Sequence, residues 1–170
     1  SWYRVPRQLQ RNKKRSTLLN QRHILLIVSG GIAAVKVPDL ISHLRERGAD
    51  VRCILTQAGS QFVTPMSLAG LSRNKVFKDL FSLNDESEMG HIRLSREADL
   101  ILVAPATANI MAKMSQGLAD DLATATLLAT NKPVIIAPAM NTMMWEHPAT
   151  QANLRTLRDR AIEVVGPDAG

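Results

Sequence analysis

HILLIVSGGIAAVK, residues 23–36, decides how this chain is read. The five consecutive apolar residues Ile24 to Val28 are too many for a strand with one wet face and suit a strand covered on both sides. Ser29-Gly30-Gly31 then breaks the run. An amphipathic segment from Ile32 to Arg47 follows, and Gly48 closes it as a helix C-cap. Working outward, the same unit recurs with strands DVRCILT (50–56), DLILVAP (99–105), KPVIIAP (132–138) and IEVVG (162–166). Helices are predicted over about 60–70, 108–115, 117–130 and 149–160 between and after them. Residues 71–90 read as a polar, irregular stretch, with VFKDLF (76–81) as a short edge element. Strands alternating with helices predict α/β architecture: a three-layer, doubly wound parallel sheet of flavodoxin or Rossmann type.

Composition bounds the rest. A chain of 170 residues, 45% apolar and 21% charged, is one globular domain and excludes wholesale disorder. No apolar run approaches the ~20 residues of a membrane helix. The single cysteine, Cys53, excludes an internal disulfide and any zinc site built from several thiolates. The chain reads as intracellular, a cytoplasmic protein. Its net charge of +6 is misleading, because seven basic residues and no acid fall within residues 1–22. Residues 23–170 hold 14 basic against 15 acidic side chains, which makes no electrostatic case for nucleic acid. The tail reads as a presequence remnant, a polyanion-binding arm or a solvated extension ahead of a domain over 23–170.

In a doubly wound sheet, ligands bind beyond the carboxyl ends of the strands. Here those ends read Ser29-Gly30-Gly31-Ile32, Thr56-Gln57, Pro105-Ala106-Thr107-Ala108-Asn109 and Pro138-Ala139-Met140-Asn141. Two glycines at a strand-to-helix turn expose backbone N–H groups to a phosphate, although a bare Gly-Gly turn is as often structural. NAD-type binders place an acid near the end of the second strand, where this chain has Thr56 and Gln57; that favours a monophosphate such as FMN. Thr107 serves equally as an N-cap or a ligand contact. APAMNTMMWEHPA (137–149) places three methionines and Trp145 after a strand, and Asn141 offers an amide to a carboxylate or peptide-like group; the competing reading is a Met-rich core plug capped by Asn141. Gly117 to Asp121 read as the opening of the next helix, with acids at its positive end. Of the four histidines, His23, His43 and His147 need only structural roles. His91 follows Gly90 after the irregular stretch and is the acid/base candidate. No metal constellation surrounds it.

These residues resemble the flavin-dependent cysteine decarboxylases, most closely the branch that decarboxylates phosphopantothenoylcysteine in bacterial coenzyme A biosynthesis. VSGGIAAVK (28–36), residues 89–129 from MGHIRLSREADL to LLA, PAMNTMMW (138–145) and VVGPDAG (164–170) carry the resemblance in order. PAMNTMMW fills the P-x-M-N-x-x-M-W pattern at every fixed position. The family's P-A-S-A-N-T reads P-A-T-A-N-I here, so Thr107 keeps a hydroxyl and Ile110 loses one.

The resemblance implies FMN held by Ser29, Gly30, Gly31, Ile32, Thr56, Pro105, Ala106, Thr107, Asn109, Gly117 and Asp120. It implies catalysis by His91 and Asn141, and a substrate segment of Ala139, Met140, Asn141, Met144 and Trp145. The implied reaction oxidises the cysteine moiety of 4'-phosphopantothenoylcysteine to a thioaldehyde, so that CO2 can leave towards 4'-phosphopantetheine, with FMN recycled. The resemblance also implies a homotrimer or a dodecamer of trimers, and fusion to a phosphopantothenate-cysteine ligase domain. In such relatives the chain runs on past GPDAG into a flap bearing a proton-donating cysteine. The expectation is therefore a decarboxylase domain ending before that flap, impaired in the final reduction. A peptidyl-cysteine decarboxylase and a non-catalytic flavin-binding subunit remain the alternatives.

Overall fold

A computed structural model describes residues 19–78 and 86–167, without the side chains of 86–89 and His91. Most of the basic tail, the end of VFKDLF and the last three residues of VVGPDAG lie outside it. Six strands, β1 (His23–Val28), β2 (Asp50–Leu55), β3 (Val76–Phe77), β4 (Leu100–Ala106), β5 (Val134–Pro138) and β6 (Glu163–Val164), form one sheet ordered β3-β2-β1-β4-β5-β6. Every pairing is parallel. The doubly wound α/β expectation is met, with one strand more than the five counted from sequence. Val76–Phe77 is the extra one, and it sits on the sheet edge as VFKDLF suggested.

Alternation along β1 explains the three layers. Leu25 and Ile27 join the core on one face, with Leu94, Ile110, Met111, Leu122, Leu154 and Leu157. Ile24, Leu26 and Val28 join the core on the other, with Val37, Ile41 and Leu68. Both sets are essentially inaccessible to water. Helices α1 (Val37–Glu46) and α2 (Pro65–Ser72) thus cover one face, while α3 (Glu86–Glu97), α4 (Ala108–Gln116), α5 (Leu122–Ala129) and α7 (Pro148–Asp159) cover the other. The short α6 (Thr142–Glu146) precedes α7.

Several boundaries differ from the sequence reading, each for a local reason. The helix expected from Ile32 begins as a 3-10 turn over Ile32–Lys36, and α1 starts only at Val37. Pro38 belongs in a first helical turn and not inside a helix, so it resets the start. Likewise the helix expected over 60–70 divides into a 3-10 turn at Gly59–Gln61 and α2, because Thr64, extended before Pro65, caps the latter. The helix expected from Gly117 starts at Leu122. Gly117, at φ +70°, instead ends α4, and Asp121 caps α5 in a reciprocal box with Thr124. Part of the stretch read as irregular is the twelve-residue α3. Gly90 hid it; Leu94 and Ala98 anchor it to the core, and Arg93 pairs with Glu97 one turn on.

His23 and Asp50 open the central strands side by side, Nδ1 to Oδ2 2.9 Å apart, and Asn74 Nδ2 donates to Asp50 Oδ1 at 2.9 Å. Burial by itself raises the Asp50 carboxyl, but the bonds from Asn74 and His23 and the charges of His23 and Arg52 outweigh it and hold it below 3.8. A carboxyl depressed on folding adds stability that is complete above its unfolded value and is lost as pH falls through its folded one. Asp50→Asn is expected to cost no more than about 1 kcal/mol at neutral pH, since the pair is open to water. It should also flatten the fall of Tm below pH 3.8. Thermal melts from pH 7 to 2 check this, and parallel curves for both proteins would contradict it.

Candidate functional site

The sheet reverses direction between β1 and β4: β2 and β3 extend to one side of β1, and β4 to β6 to the other. A crevice of about 870 Å³ opens at the carboxyl ends of those strands. That is where a doubly wound sheet places its ligand, and the volume lies within the ~300–1,000 Å³ of small-molecule sites.

Its floor is tied together by three strand ends. β1 and β4 pair as far as Ile27 with Val103, and beyond Val103 the β4 register shifts. There the Ser29 hydroxyl takes over from the ladder, donating to the Pro105 carbonyl at 2.5 Å while Ser29 itself is buried. Ala139 N–H donates to the Ala106 carbonyl at 3.1 Å, joining β5 to the same floor. Ser29 has thereby spent its one proton and offers a ligand only lone pairs.

The walls carry caps. Thr107 Oγ1 accepts from Ile110 N–H at 3.2 Å, and its own proton meets no acceptor among the described residues. Thr56 Oγ1 accepts from Gly59 N–H at 3.0 Å. Asn141 Oδ1 accepts from Met144 N–H at 2.9 Å, which fixes α6, while its amide nitrogen has no partner among the described residues. Capping and ligand contact are thus compatible in Asn141, because they use opposite ends of one amide.

Of the residues singled out from sequence, Ser29, Gly30, Gly31, Ile32, Thr56, Thr107, Asn109, Ala139, Met140, Asn141 and Met144 line the crevice. Pro105 and Ala106 lie in β4 and contribute the carbonyls of the floor. Gly117 and Asp120 are not in the wall; Asp120 instead meets Lys113, which is. Trp145 packs against the core, and its carbonyl accepts from Gln151 Nε2 at 2.7 Å. His91 falls on α3, its side chain outside the described residues.

The profile of the flavoprotein family matches residues 12–170. The chain belongs to that family. Among its flavoprotein relatives, the coenzyme A biosynthesis bifunctional protein CoaBC of Haemophilus influenzae is 46% identical over 152 residues, which is 89% of this chain and 38% of that protein. The chain therefore spans a little over a third of the length of this relative. The crystal structure of the FMN-dependent cysteine decarboxylase SpaF superposes with a TM-score of 0.79 at 32% identity, covering 90% of this chain and 87% of the other. A PPC decarboxylase mutant complexed with pantothenoylaminoethenethiol superposes with a TM-score of 0.73 at 32% identity, covering 87% and 83%.

Within this flavoprotein site, the sequence reading missed Lys113, Asp121 and Pro167 as wall residues, whereas Gln57, quoted at the end of the second strand, does line the crevice. Lys113 was legible in principle, since it follows Asn109 by four residues and shares its helix face. Pro167 was not, because nothing local says that the segment after β6 returns to the crevice. Cys53 is buried in β2, and burial pushes its thiol up to about 12, so it supplies no proton near neutrality.

The two turn glycines differ in kind. A Cβ on Gly30 would stand 2.4 Å from Ala58 Cβ and 2.9 Å from the Ala58 carbonyl carbon, whereas one on Gly31 would meet only Thr107 Cγ2, at 3.5 Å. Gly31 is extended at φ 168°, a conformation open to any residue. Gly30→Ala is expected to destabilise the protein by about 1–3 kcal/mol through overpacking against backbone, and Gly31→Ala to leave it folded as before. Denaturant titration of both variants checks the contrast, and equal stabilities would refute it.

Proposed function

We propose that this chain is an FMN-dependent decarboxylase domain acting on 4'-phosphopantothenoylcysteine, within a homo-oligomeric enzyme of coenzyme A biosynthesis whose natural chain includes a ligase domain. One observation carries the reading: the fold gathers the Gly30–Gly31 turn, the start of α4 at Thr107–Asn109 and the Asn141–Met144 segment, far apart in sequence, around a single crevice.

The residues present fit FMN. Gly31 leaves the gap towards Thr107 open where a side chain would begin to fill it. Ile32, Ile110, Met140 and Met144 supply apolar wall for a flat ring, and Thr107, Asn109 and Gln57 supply neutral polar groups. The donor set lacks the acid that an NAD ribose calls for at the end of β2. The same absence weighs towards a monophosphate.

FMN, when bound, supplies the two-electron oxidation that makes the carboxylate of the cysteine moiety labile. The chain's own groups do the rest. Thr107 donates its free proton to the cofactor, and Ser29 accepts from it. The amide nitrogen of Asn141 holds the substrate carboxylate, oriented by the α6 cap. His91 takes the proton released on oxidation, and Met144 excludes water. Exposed apolar side chains at Ile32, Met66 and Met143 support self-association, since each is at least 80% accessible in the single chain.

Titrating the protein with FMN, and then incubating it with 4'-phosphopantothenoylcysteine under mass spectrometry, tests the proposal. The expected result is a yellow complex and a product lighter by CO2. Folded protein that leaves FMN free in solution would overturn it.

A further inference from the structure

Among the described residues that wall the crevice, Lys113 is the only one whose side chain is a lysine, arginine or histidine. Its ammonium lies 3.1 and 3.0 Å from the two carboxylate oxygens of Asp120. The Lys113 side chain is 24% exposed and that of Asp120 is 58%. Lys113 thus belongs to the crevice wall, whereas Asp120 lies outside it and is the more exposed partner. An ion pair this open adds little to stability once water screens it. What it does is orient: Asp120 pins a flexible four-carbon stem and leaves the ammonium a hydrogen to donate. The single acid in the wall, Asp121, is engaged elsewhere, accepting from Thr124 N–H at 2.7 Å and Thr124 Oγ1 at 2.6 Å at the start of α5.

The placement along α4 says which ligand charge the cation meets. Thr107, at the head of α4, is what a Cβ on Gly31 would meet, and Lys113 lies six residues further on, about 9 Å along the helix axis. If the Gly30–Gly31 turn holds the phosphate, Lys113 serves the opposite end of the cofactor. Oxidising the substrate's CH2–SH to a thioaldehyde releases two electrons and two protons. With FMN bound, the ring would accept both electrons and one proton and so carry one negative charge, while the second proton would pass to a base.

Resting on the FMN reading above, we propose that Lys113, oriented by Asp120, is a charge-setting residue that stabilises this negative charge and so favours reduced over oxidised flavin. The substrate carboxylate is the other anion that a cation in this wall would attract, and the test separates the two.

The experiment measures the midpoint potential of bound FMN, without substrate, in the wild type, Lys113→Met, Lys113→Arg and Asp120→Asn. Affinities for FMN and riboflavin are measured alongside. Lys113→Met is expected to lose about tenfold in preference for reduced over oxidised FMN, a fall of about 30 mV for a two-electron couple. Lys113→Arg should restore most of it. Asp120→Asn, which frees the cation from its counter-charge, is expected to shift the potential upward. A merely structural role would move both neutralising variants the same way. FMN and riboflavin should weaken equally in Lys113→Met.

An unchanged potential in Lys113→Met, same-sign shifts in the two variants, or a loss confined to FMN would each overturn the inference. Wild-type protein that binds no FMN would instead remove the functional reading beneath it. Should Lys113→Met fail to fold, the upward shift in Asp120→Asn still decides.

Discussion

Asn141→Asp is expected to lower kcat/KM for the cysteine-derived acid by roughly 10- to 150-fold from the lost donor alone, with the fold and FMN content unchanged. The carboxamide has two ends with two duties: Oδ1 caps α6 by accepting from Met144 N–H at 2.9 Å, and the nitrogen faces no partner among the described residues. Aspartate is an equally good N-cap, so the first duty survives. The second does not, because a carboxylate has no hydrogen to donate and repels the carboxylate it should hold. A hydrogen bond to a charged group contributes about 1.5–3 kcal/mol, which sets the stated range, and repulsion enlarges it. Asn141→Ala removes both duties and should also lower stability by about 1 kcal/mol. Steady-state kinetics beside thermal melts distinguish the variants. An Asn141→Asp enzyme as fast as wild type would show that the amide only caps.

His91→Asn is expected to reduce turnover by about 10²–10⁴-fold, the usual worth of a positioned general base. His91 lies within α3, which packs Leu94 into the core, as does Ala98 just after its end. Histidine and asparagine have similar helix propensities, so α3 and the absorbance of bound FMN should persist. A base must be unprotonated to act, and imidazole ordinarily titrates between pH 5 and 8. Wild-type turnover should therefore fall on the acid side of that range, and the variant's residual turnover should not. Stopped assays over pH 5–9 provide the measurement; an unaltered rate, or an acid limb that survives the substitution, would remove His91 from proton transfer.

Much of this was legible in sequence because local physics carries it. Ile24 to Val28 is apolar at every position, so it needs two covered faces, and a chain that repeats such runs between amphipathic segments has few solutions besides a parallel sheet with helices on both sides. Once that is granted, the crevice must lie beyond the strand ends, and thirteen of the fifteen residues quoted at those ends do meet in it. Proline and glycine chemistry was present in the letters but under-weighted. Pro38 and Pro65 reset helix starts, Gly117 ended a helix expected to begin there, and Gly90 concealed one.

The layers, the winding and the rim of the site were readable from the residues alone, since these follow from hydrophobic periodicity and turn chemistry within a few residues. Which partner each polar atom takes emerged from the packed fold. Ser29 gives its proton to Pro105 across 76 residues, Asp120 turns from the crevice to Lys113, and Pro167 comes back to close the wall. Hydrogen bonds and ion pairs act over about 3 Å, and distances that short between residues far apart in the chain are fixed by how whole strands and helices pack, which no local pattern encodes.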